Sequence, residues 1–189
     1  MYATAICVVS FCVIACHGQS LSVVLDFEAA PNEQSLAAMT REFEVILKPS
    51  GLRIDFKTRR QAEQIESDNL VVLRFTGECV IKPASAVGSG TLGYSYVLDG
   101  RVQPFGEINC DRVIRVVSSA LSASDYLRSD QLFGRALGRV LAHEVVHMLS
   151  DSIDHARDGL ACKELSAKQL LAPALRLQAR DFARLHINR

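Results

Sequence analysis

The stretch LAHEVVHMLSDSIDH (residues 141–155) contains three of the chain's five histidines and one glutamate. His143, Glu144 and His147 have the spacing H-E-x-x-H. On a helix, residues four apart lie on the same face, one turn above each other, so both imidazoles can reach one metal ion. The carboxylate of Glu144 can then take a proton from metal-bound water. This spacing is typical of a hydrolytic Zn²⁺ site, in which zinc lowers the pKa of water to about 7.

A helix that is merely rich in histidine is the alternative interpretation. Random placement of the same residue types would give roughly 0.007 matches to this spacing in the whole chain. A helix without metal would also need partners for two imidazoles and a carboxylate on an apolar surface. The preceding segment, LFGRALGRVLA, is apolar enough to pack on several sides, and Gly134 and Gly138 would let another element approach closely. We therefore favour a metal site at the end of a buried helix.

A zinc site also needs a third protein ligand. His155 lies eight residues after His147. Ser150, Asp151 and Asp154 are poor helix-interior residues, so we expect the helix to end near Ser150. The chain can then turn and bring His155 back toward the histidine pair.

Cys162 supports a different interpretation of the same motif. If Cys162 bound the ion together with His143, His147 and His155, the site would be four-coordinate and closed, hence structural. Glu144 would then orient a ligand instead of acting as a base. The chain would be a non-catalytic exported protein with a structural zinc site. We prefer to read Cys162 as a small buried apolar side chain; a metal-free α/β binding domain is a third alternative.

The elements that must position the motif precede it in the chain. Residues 20–29 and 70–75 predict strands, the second buried on both faces. Residues 52–57 alternate between apolar and polar side chains, which predicts a half-buried strand. Between the strands predicted at 20–29 and 52–57, a helix is predicted to begin at Asn32 and to end at Lys48–Ser50.

A hairpin and two helices follow these strands. Asp99 and Gly100 are the strongest hairpin signal in the chain, and Pro104 would place its strand at an edge of the sheet. A short helix is predicted after Cys110, and Ser129 or Asp130 would cap the long helix that runs to about Leu149. This order predicts an α+β (mixed α/β) domain, with a small sheet ahead of a long central helix. The hairpin strand over Gly93–Leu98 would be free to pair with an extended peptide.

Composition excludes two classes of partner. The chain is 49% apolar and 22% charged, with a formal net charge of zero. It has no basic stripe with interleaved aromatic residues, so we expect no nucleic-acid partner. It has no apolar run of eighteen residues, so we expect no transmembrane segment in the mature chain.

The first twenty residues predict a secretory leader. Residues 5–16, AICVVSFCVIAC, form a 12-residue apolar run, which is too short to span a membrane. Ala15 or Ser20 would end a cleavage site, and VIAC resembles a bacterial lipobox in which Cys16 would carry a lipid anchor. The basic start of a leader is missing, because no Lys or Arg precedes Arg41; a buried N-terminal strand is the alternative. We predict a signal peptide over 1–20, of the ordinary or lipoprotein type.

Export decides how the cysteines are interpreted. The predicted mature chain, one domain over 21–189, would be periplasmic, secreted or anchored to the envelope. It keeps Cys79, Cys110 and Cys162. An oxidising compartment favours one disulfide among these three. We predict the pair Cys79 and Cys110, because each lies at the end of an apolar, strand-like run.

The motif resembles that of the zincin metallopeptidases, and among them the metzincins, whose pattern is H-E-x-x-H-x-x-G-x-x-H. This chain departs from that pattern, with Ser150 at the glycine position and Ile153 at the third histidine position. Its spacing is H-E-x-x-H-x7-H, and no methionine follows Met148 to form a Met-turn. The chain is also similar to small exported bacterial zincin-like proteins that pair ALGRVLAHE..H with a later histidine and two cysteines.

The resemblance implies a zincin-like fold, with a small twisted sheet and an edge hairpin packed on the long helix. It implies zinc-dependent hydrolysis of a peptide or protein substrate, with Glu144 as general base and acid. The metal ligands that it implies are His143, His147 and His155. Asp154, in an aspzincin-like site, and Glu164, in a gluzincin-like site, remain alternatives for the third ligand. The candidates for the group that stabilises the oxyanion are Tyr94, Tyr96, Tyr126 and Arg157.

Overall fold

The computed structural model describes residues 19–62, 69–81 and 90–186. Gln19 and Ser20 are the only residues of the predicted leader in these ranges. The remainder of the leader, with the proposed lipid anchor at Cys16, lies outside the described residues. The leader and the domain boundary at residue 21 therefore stay predictions.

The described residues form five strands and six α-helices. The strands are β1 (Ser20–Ala29), β2 (Arg53–Thr58), β3 (Leu70–Glu78), β4 (Gly93–Leu98) and β5 (Arg101–Asn109). The helices are α1 (Glu33–Leu47), α2 (Arg59–Ala62), α3 (Cys110–Ser118), α4 (Ser129–Ser150), α5 (Ala167–Leu171) and α6 (Ala179–Phe182). Short 3₁₀ segments extend α1 (Lys48–Ser50) and precede α4 (Ala123–Arg128).

All five strands belong to one sheet in the order β2-β1-β3-β5-β4. The first four are parallel, whereas β4 runs antiparallel to β5 and forms an edge. In β3, Val71, Leu73 and Phe75 are buried in the core, but Arg74 between them is exposed. The prediction that this strand is buried on both faces is therefore wrong. Although its sequence is a long apolar run, the strand is half-buried, and only one of its faces lies in the core.

The hairpin between β4 and β5 forms where it was predicted. Asp99 (φ 51°) and Gly100 (φ 77°) both adopt the left-handed conformation that a tight two-residue hairpin turn requires. Pro104, however, does not mark an edge strand, because β5 lies between β3 and β4. It precedes Phe105, where pairing with β3 starts, and lies where the β4–β5 register shifts. Proline is tolerated there because the regular ladder is interrupted.

The long helix α4 ends as predicted but begins differently. Neither Ser129 nor Asp130 caps it, because the chain already turns in the preceding 3₁₀ segment, and Ser129 Oγ donates to the Tyr126 carbonyl. At the other end, Ser150 is the last helical residue. Asp151 adopts the left-handed conformation (φ 45°), and its N–H bonds to the His147 carbonyl.

Helix α4 lies directly against the backbone of α1. A Cβ atom on Gly138 would lie 2.5 Å from the Met39 carbonyl oxygen, and one on Gly134 would collide with the Ser35 carbonyl. Both glycines thus have the role predicted from the sequence. The fully buried Arg139 joins this contact, donating from Nε to Glu42 (2.7 Å).

The predicted disulfide is present. Cys79, just after β3, is bonded to Cys110 at the start of α3, with a Cα–Cα distance of 5.0 Å. In the chain-entropy account, a closed loop of this length stabilises the fold by roughly 3–4 kcal/mol. The disulfide is compatible with an oxidising compartment. Among the described residues, no helix is long and apolar enough to cross a membrane.

Replacing Gly138 by alanine tests the close approach of α1 and α4. The new methyl group would meet the Met39 backbone, and overpacking of this kind costs about 1–3 kcal/mol. The better helix propensity of alanine, relative to glycine, offsets at most about 1 kcal/mol of this loss. We expect urea denaturation to show a net loss of about 1–2 kcal/mol. The control is Gln131→Ala, at an exposed position of the same helix; equal stability of the two variants would contradict this packing.

Candidate metal centre

Three imidazoles converge at the end of α4. His143 and His147 come from adjacent turns of the helix, and His155 comes from the segment that follows it. One ring nitrogen of each lies within 4.8 Å of the others. His143 and His147 are each 8% exposed, whereas His155 lies at the surface. The structure therefore brings together the three histidines that the sequence predicted as metal ligands.

Backbone carbonyls fix the orientation of the two helical imidazoles. Nδ1 of His143 lies 2.8 Å from the Leu160 carbonyl oxygen, and Nδ1 of His147 lies 2.7 Å from that of Ser152. A carbonyl oxygen only accepts, so the proton of each neutral ring lies on Nδ1. Each Nε2 then carries a free lone pair that is directed toward the centre of the cluster.

The two free lone pairs face each other. Nε2 of His143 and Nε2 of His147 are 3.1 Å apart. Two acceptors at this distance cannot form a hydrogen bond while both Nδ1 atoms donate to carbonyls. Two imidazoles on one tetrahedral zinc, with Zn–N of 2.0–2.1 Å, have nitrogens roughly 3.3 Å apart. The donor set and its spacing thus fit Zn²⁺ bound at these nitrogens.

Burial keeps the imidazoles in the form that binds metal. It lowers the pKa of His143 to about 4, even though the hydrogen bond to Leu160 acts in the opposite direction. Burial also lowers the pKa of His147 and of His155. The rings are therefore neutral at pH 7, and binding a cation does not require them to lose a proton.

Asp151 sets the turn that returns the chain to the cluster. Its left-handed backbone ends α4, so that the next residue, Ser152, can present its carbonyl to His147. Its carboxylate accepts a hydrogen bond from the Val102 N–H (2.8 Å) and pairs with Arg101 (2.9 Å). The helix end that carries the histidines is thereby fastened to the β4–β5 hairpin.

Glu144 lies beside the histidines and is directed toward β4. It is 4% exposed, and its Oε2 accepts a hydrogen bond from Ser95 Oγ (2.9 Å). Burial raises its pKa to about 7, although the bond from Ser95 lowers it. A Cβ atom on Gly93 would lie 3.0 Å from Oε1 of Glu144, so the glycine leaves room for the carboxylate. Ser95 was not identified from the sequence, because a lone serine in a strand gives no signal.

A cavity of about 530 Å³ opens over these groups. Its walls include Glu144, the three histidines and the first residues of β4. Arg112 and Val116 of α3 also line it. The cavity is large enough for several atoms of a peptide backbone and its side chains.

The alternative ligands are not part of the cluster. Within the described ranges, the one group of potential ligand atoms contains only the three histidines. Cys162 is buried, its Sγ lies 3.1 Å from the Glu164 carbonyl, and it accepts from Gln169 Nε2 (3.3 Å). Glu164 lines the cavity without joining the histidines, and Asp154 is exposed. The structure therefore does not assemble the closed site of three histidines and Cys162.

The four candidates for oxyanion stabilisation are dispersed. Tyr94 alone among them lines the cavity. Its hydroxyl lies 3.3 Å from that of Tyr96, and this hydrogen bond is the main reason that its pKa rises to about 12. Tyr126 lies in the 3₁₀ segment before α4, and Arg157 lines a different cavity.

Comparisons with known proteins show a similarity of fold. No protein-family model matches the chain, and no curated protein is similar to it at a significant level. Among solved structures, it is similar to archaemetzincin from Methanopyrus kandleri, a zincin-like metallopeptidase, with a TM-score of 0.54 and 12% sequence identity. The match covers 90% of this chain and 96% of that one. The predicted α+β, zincin-like fold is thereby confirmed.

The assigned tautomers can be tested without any assay of activity. Long-range ¹H–¹⁵N spectra of the zinc-free chain at pH 7 should show His143 and His147 as neutral rings protonated on Nδ1. One equivalent of Zn²⁺ should shift the Nε2 resonances of both rings and of His155. The exposed His186 serves as an internal control and should not shift. Detection of a proton on Nε2 of either helical histidine would contradict the assigned geometry.

Proposed function

We propose that this chain is an exported zinc metallopeptidase that hydrolyses peptide bonds. The observation that carries the proposal is the position of the Nε2 atoms of His143 and His147, which lie 3.1 Å apart with the His155 ring beside them. The zincin-like fold and the position of Glu144 next to the cluster support the same conclusion. A non-catalytic protein with a closed zinc site receives less support, because Cys162 is engaged elsewhere.

Zinc, when bound by the three histidines, would polarise the scissile carbonyl and lower the pKa of water. Glu144 would accept a proton from the attacking water and deliver it to the leaving amine. The same side chain serves both steps, because the carboxylate gains a proton in the first and the resulting acid releases it in the second. Ser95 holds the Oε2 atom of this carboxylate and so limits its rotation.

The edge strand β4 is the proposed binding site for the backbone of the substrate. Among the strands that the structure describes, it pairs with β5 alone, and Gly93 to Ser95 form part of the cavity wall. A peptide in extended conformation could add to the sheet along this edge, so that main-chain hydrogen bonds supply affinity. Such a peptide would pass directly over Glu144.

Export remains part of the proposal. The Cys79–Cys110 disulfide supports an oxidising compartment. The predicted leader would take the chain there, and lipidation of Cys16 would decide between release and anchoring to the envelope. A peptide or protein outside the cytoplasm is the expected substrate.

Glu144→Gln tests the role of the carboxylate. The amide cannot accept the proton, so kcat on a quenched fluorescent peptide library should fall by about 10²–10⁴-fold. Zinc content, measured by plasma mass spectrometry, should stay at one ion per chain because the histidines are unchanged. Glu44→Gln, at an exposed position of α1, is the matched control. Full turnover by Glu144→Gln would rule out this carboxylate as the base.

Strand pairing with β4 can be tested through the substrate. N-methylation of one backbone amide at a time in a cleaved peptide removes single main-chain hydrogen bonds. Pairing with an edge strand predicts that KM rises by about two- to tenfold at alternate residues near the cleaved bond, since each bond contributes about 0.5–1.5 kcal/mol. N-methylation at the end of the peptide should have no effect. A flat profile along the whole peptide would contradict pairing.

A further inference from the structure

A second cavity adjoins the metal centre. Its volume is about 390 Å³, and His155 is the residue that it shares with the first cavity. The second cavity is lined by His155, Ala156, Arg157, Arg180, Asp181 and Arg184. It is formed where the segment after His155 meets α6. The proposed function leaves it without a role.

The charged side chains of this cavity are predominantly basic. Three arginines face one aspartate, in a chain whose formal net charge is zero. Arg180 is already engaged, because it pairs with Asp158 and lies 3.9 Å from Asp181. Asp181 also accepts a hydrogen bond from the Gln178 N–H (2.9 Å). Its negative charge is therefore held within the wall of the cavity.

Arg157 and Arg184 are not neutralised in this way. Within residues 19–62, 69–81 and 90–186, neither forms a side-chain ion pair. Both are exposed at the cavity, so their guanidinium groups are available to a ligand. Guanidinium binds a carboxylate through two parallel N–H···O bonds, and such charge-assisted bonds are about twice as strong as neutral ones.

We propose that this cavity is a subsite for a carboxylate of the substrate, bound by Arg157 and Arg184. The inference rests on the proposed peptidase function. His155 lines both cavities, so the second cavity adjoins the metal centre and the carboxylate would lie near the bond that is cleaved. The substrate class is then a peptide with an acidic side chain at that position, or one whose C-terminal carboxylate lies there.

Matched peptides distinguish these two sources of the carboxylate. The first pair of peptides differs only at the C-terminus, which is a free carboxylate in one and an amide in the other. In the second pair the C-terminus is an amide, and the residue near the cleaved bond is acidic in one peptide and its neutral amide counterpart in the other. The kcat/KM of each peptide is measured with the zinc-loaded wild-type full chain. The Kd is measured without cleavage, from the fluorescence anisotropy of labelled peptides that bind the Glu144→Gln variant.

We expect at least one carboxylate-bearing version to bind at least tenfold more tightly than its neutral counterpart. The Arg157→Ala/Arg184→Ala variant should remove this preference. Arg157→Lys/Arg184→Lys keeps the charge but not the two-bond geometry, and should keep part of the preference. Arg41→Ala, at an exposed position of α1, should leave it unchanged. Because neither cavity arginine forms an ion pair with another described side chain, the variants at Arg157 and Arg184 should keep the wild-type thermal unfolding midpoint.

The possible results separate the two proposals. Hydrolysis of peptides with no preference for a carboxylate would overturn the subsite and uphold the peptidase function. A preference that survives the double alanine variant would also overturn it. Arginine-dependent binding of carboxylate peptides without cleavage of any peptide would overturn the peptidase function and support the cavity as a carboxylate site. Preference and cleavage that both behave as expected support the two together.

Discussion

The hydrogen bonds from Nδ1 of His143 and His147 to backbone carbonyls are the interactions on which the site depends. They place the proton of each ring on Nδ1, which leaves the lone pair of each Nε2 directed toward the centre of the cluster. The two Nε2 atoms are 3.1 Å apart. The carbonyls belong to Leu160 and Ser152, in the segment after α4. That segment therefore orients the two helical imidazoles and also supplies the third histidine, His155. A helix with the same histidines but a different chain after it would not fix the rings.

The rest of the fold holds the end of α4 in place. The helix is buried along most of its length because Gly134 and Gly138 admit the backbone of α1. Asp151 fastens its last turn to the hairpin through Val102. The same hairpin presents Ser95 to Glu144, so the Glu144 carboxylate is held by the element that forms the edge of the sheet. Rigid support of this kind is what a preorganised metal site requires.

Sequence reasoning recovered features that depend on local spacing. The H-E-x-x-H pair and the hairpin at Asp99 follow from residue types at fixed separations. The disulfide was predicted from the positions of Cys79 and Cys110 at the ends of apolar, strand-like runs. Contacts between distant segments gave no such signal: neither Ser95 nor the Leu160 carbonyl could be identified before the fold was known. The predictions for β3 and Pro104 were wrong because an apolar run does not show which face is covered, and proline does not distinguish an edge from a break in register. The roles of the site residues are still proposals.

Zinc K-edge X-ray absorption of the purified full chain tests the central claim most directly. The account predicts one zinc per chain with nitrogen and oxygen neighbours only, at about 2.0–2.1 Å, and the multiple-scattering pattern of three imidazoles. A sulfur shell at about 2.3 Å would place Cys162 on the metal and contradict the open site. Failure to bind zinc in stoichiometric amount would contradict the metal centre itself.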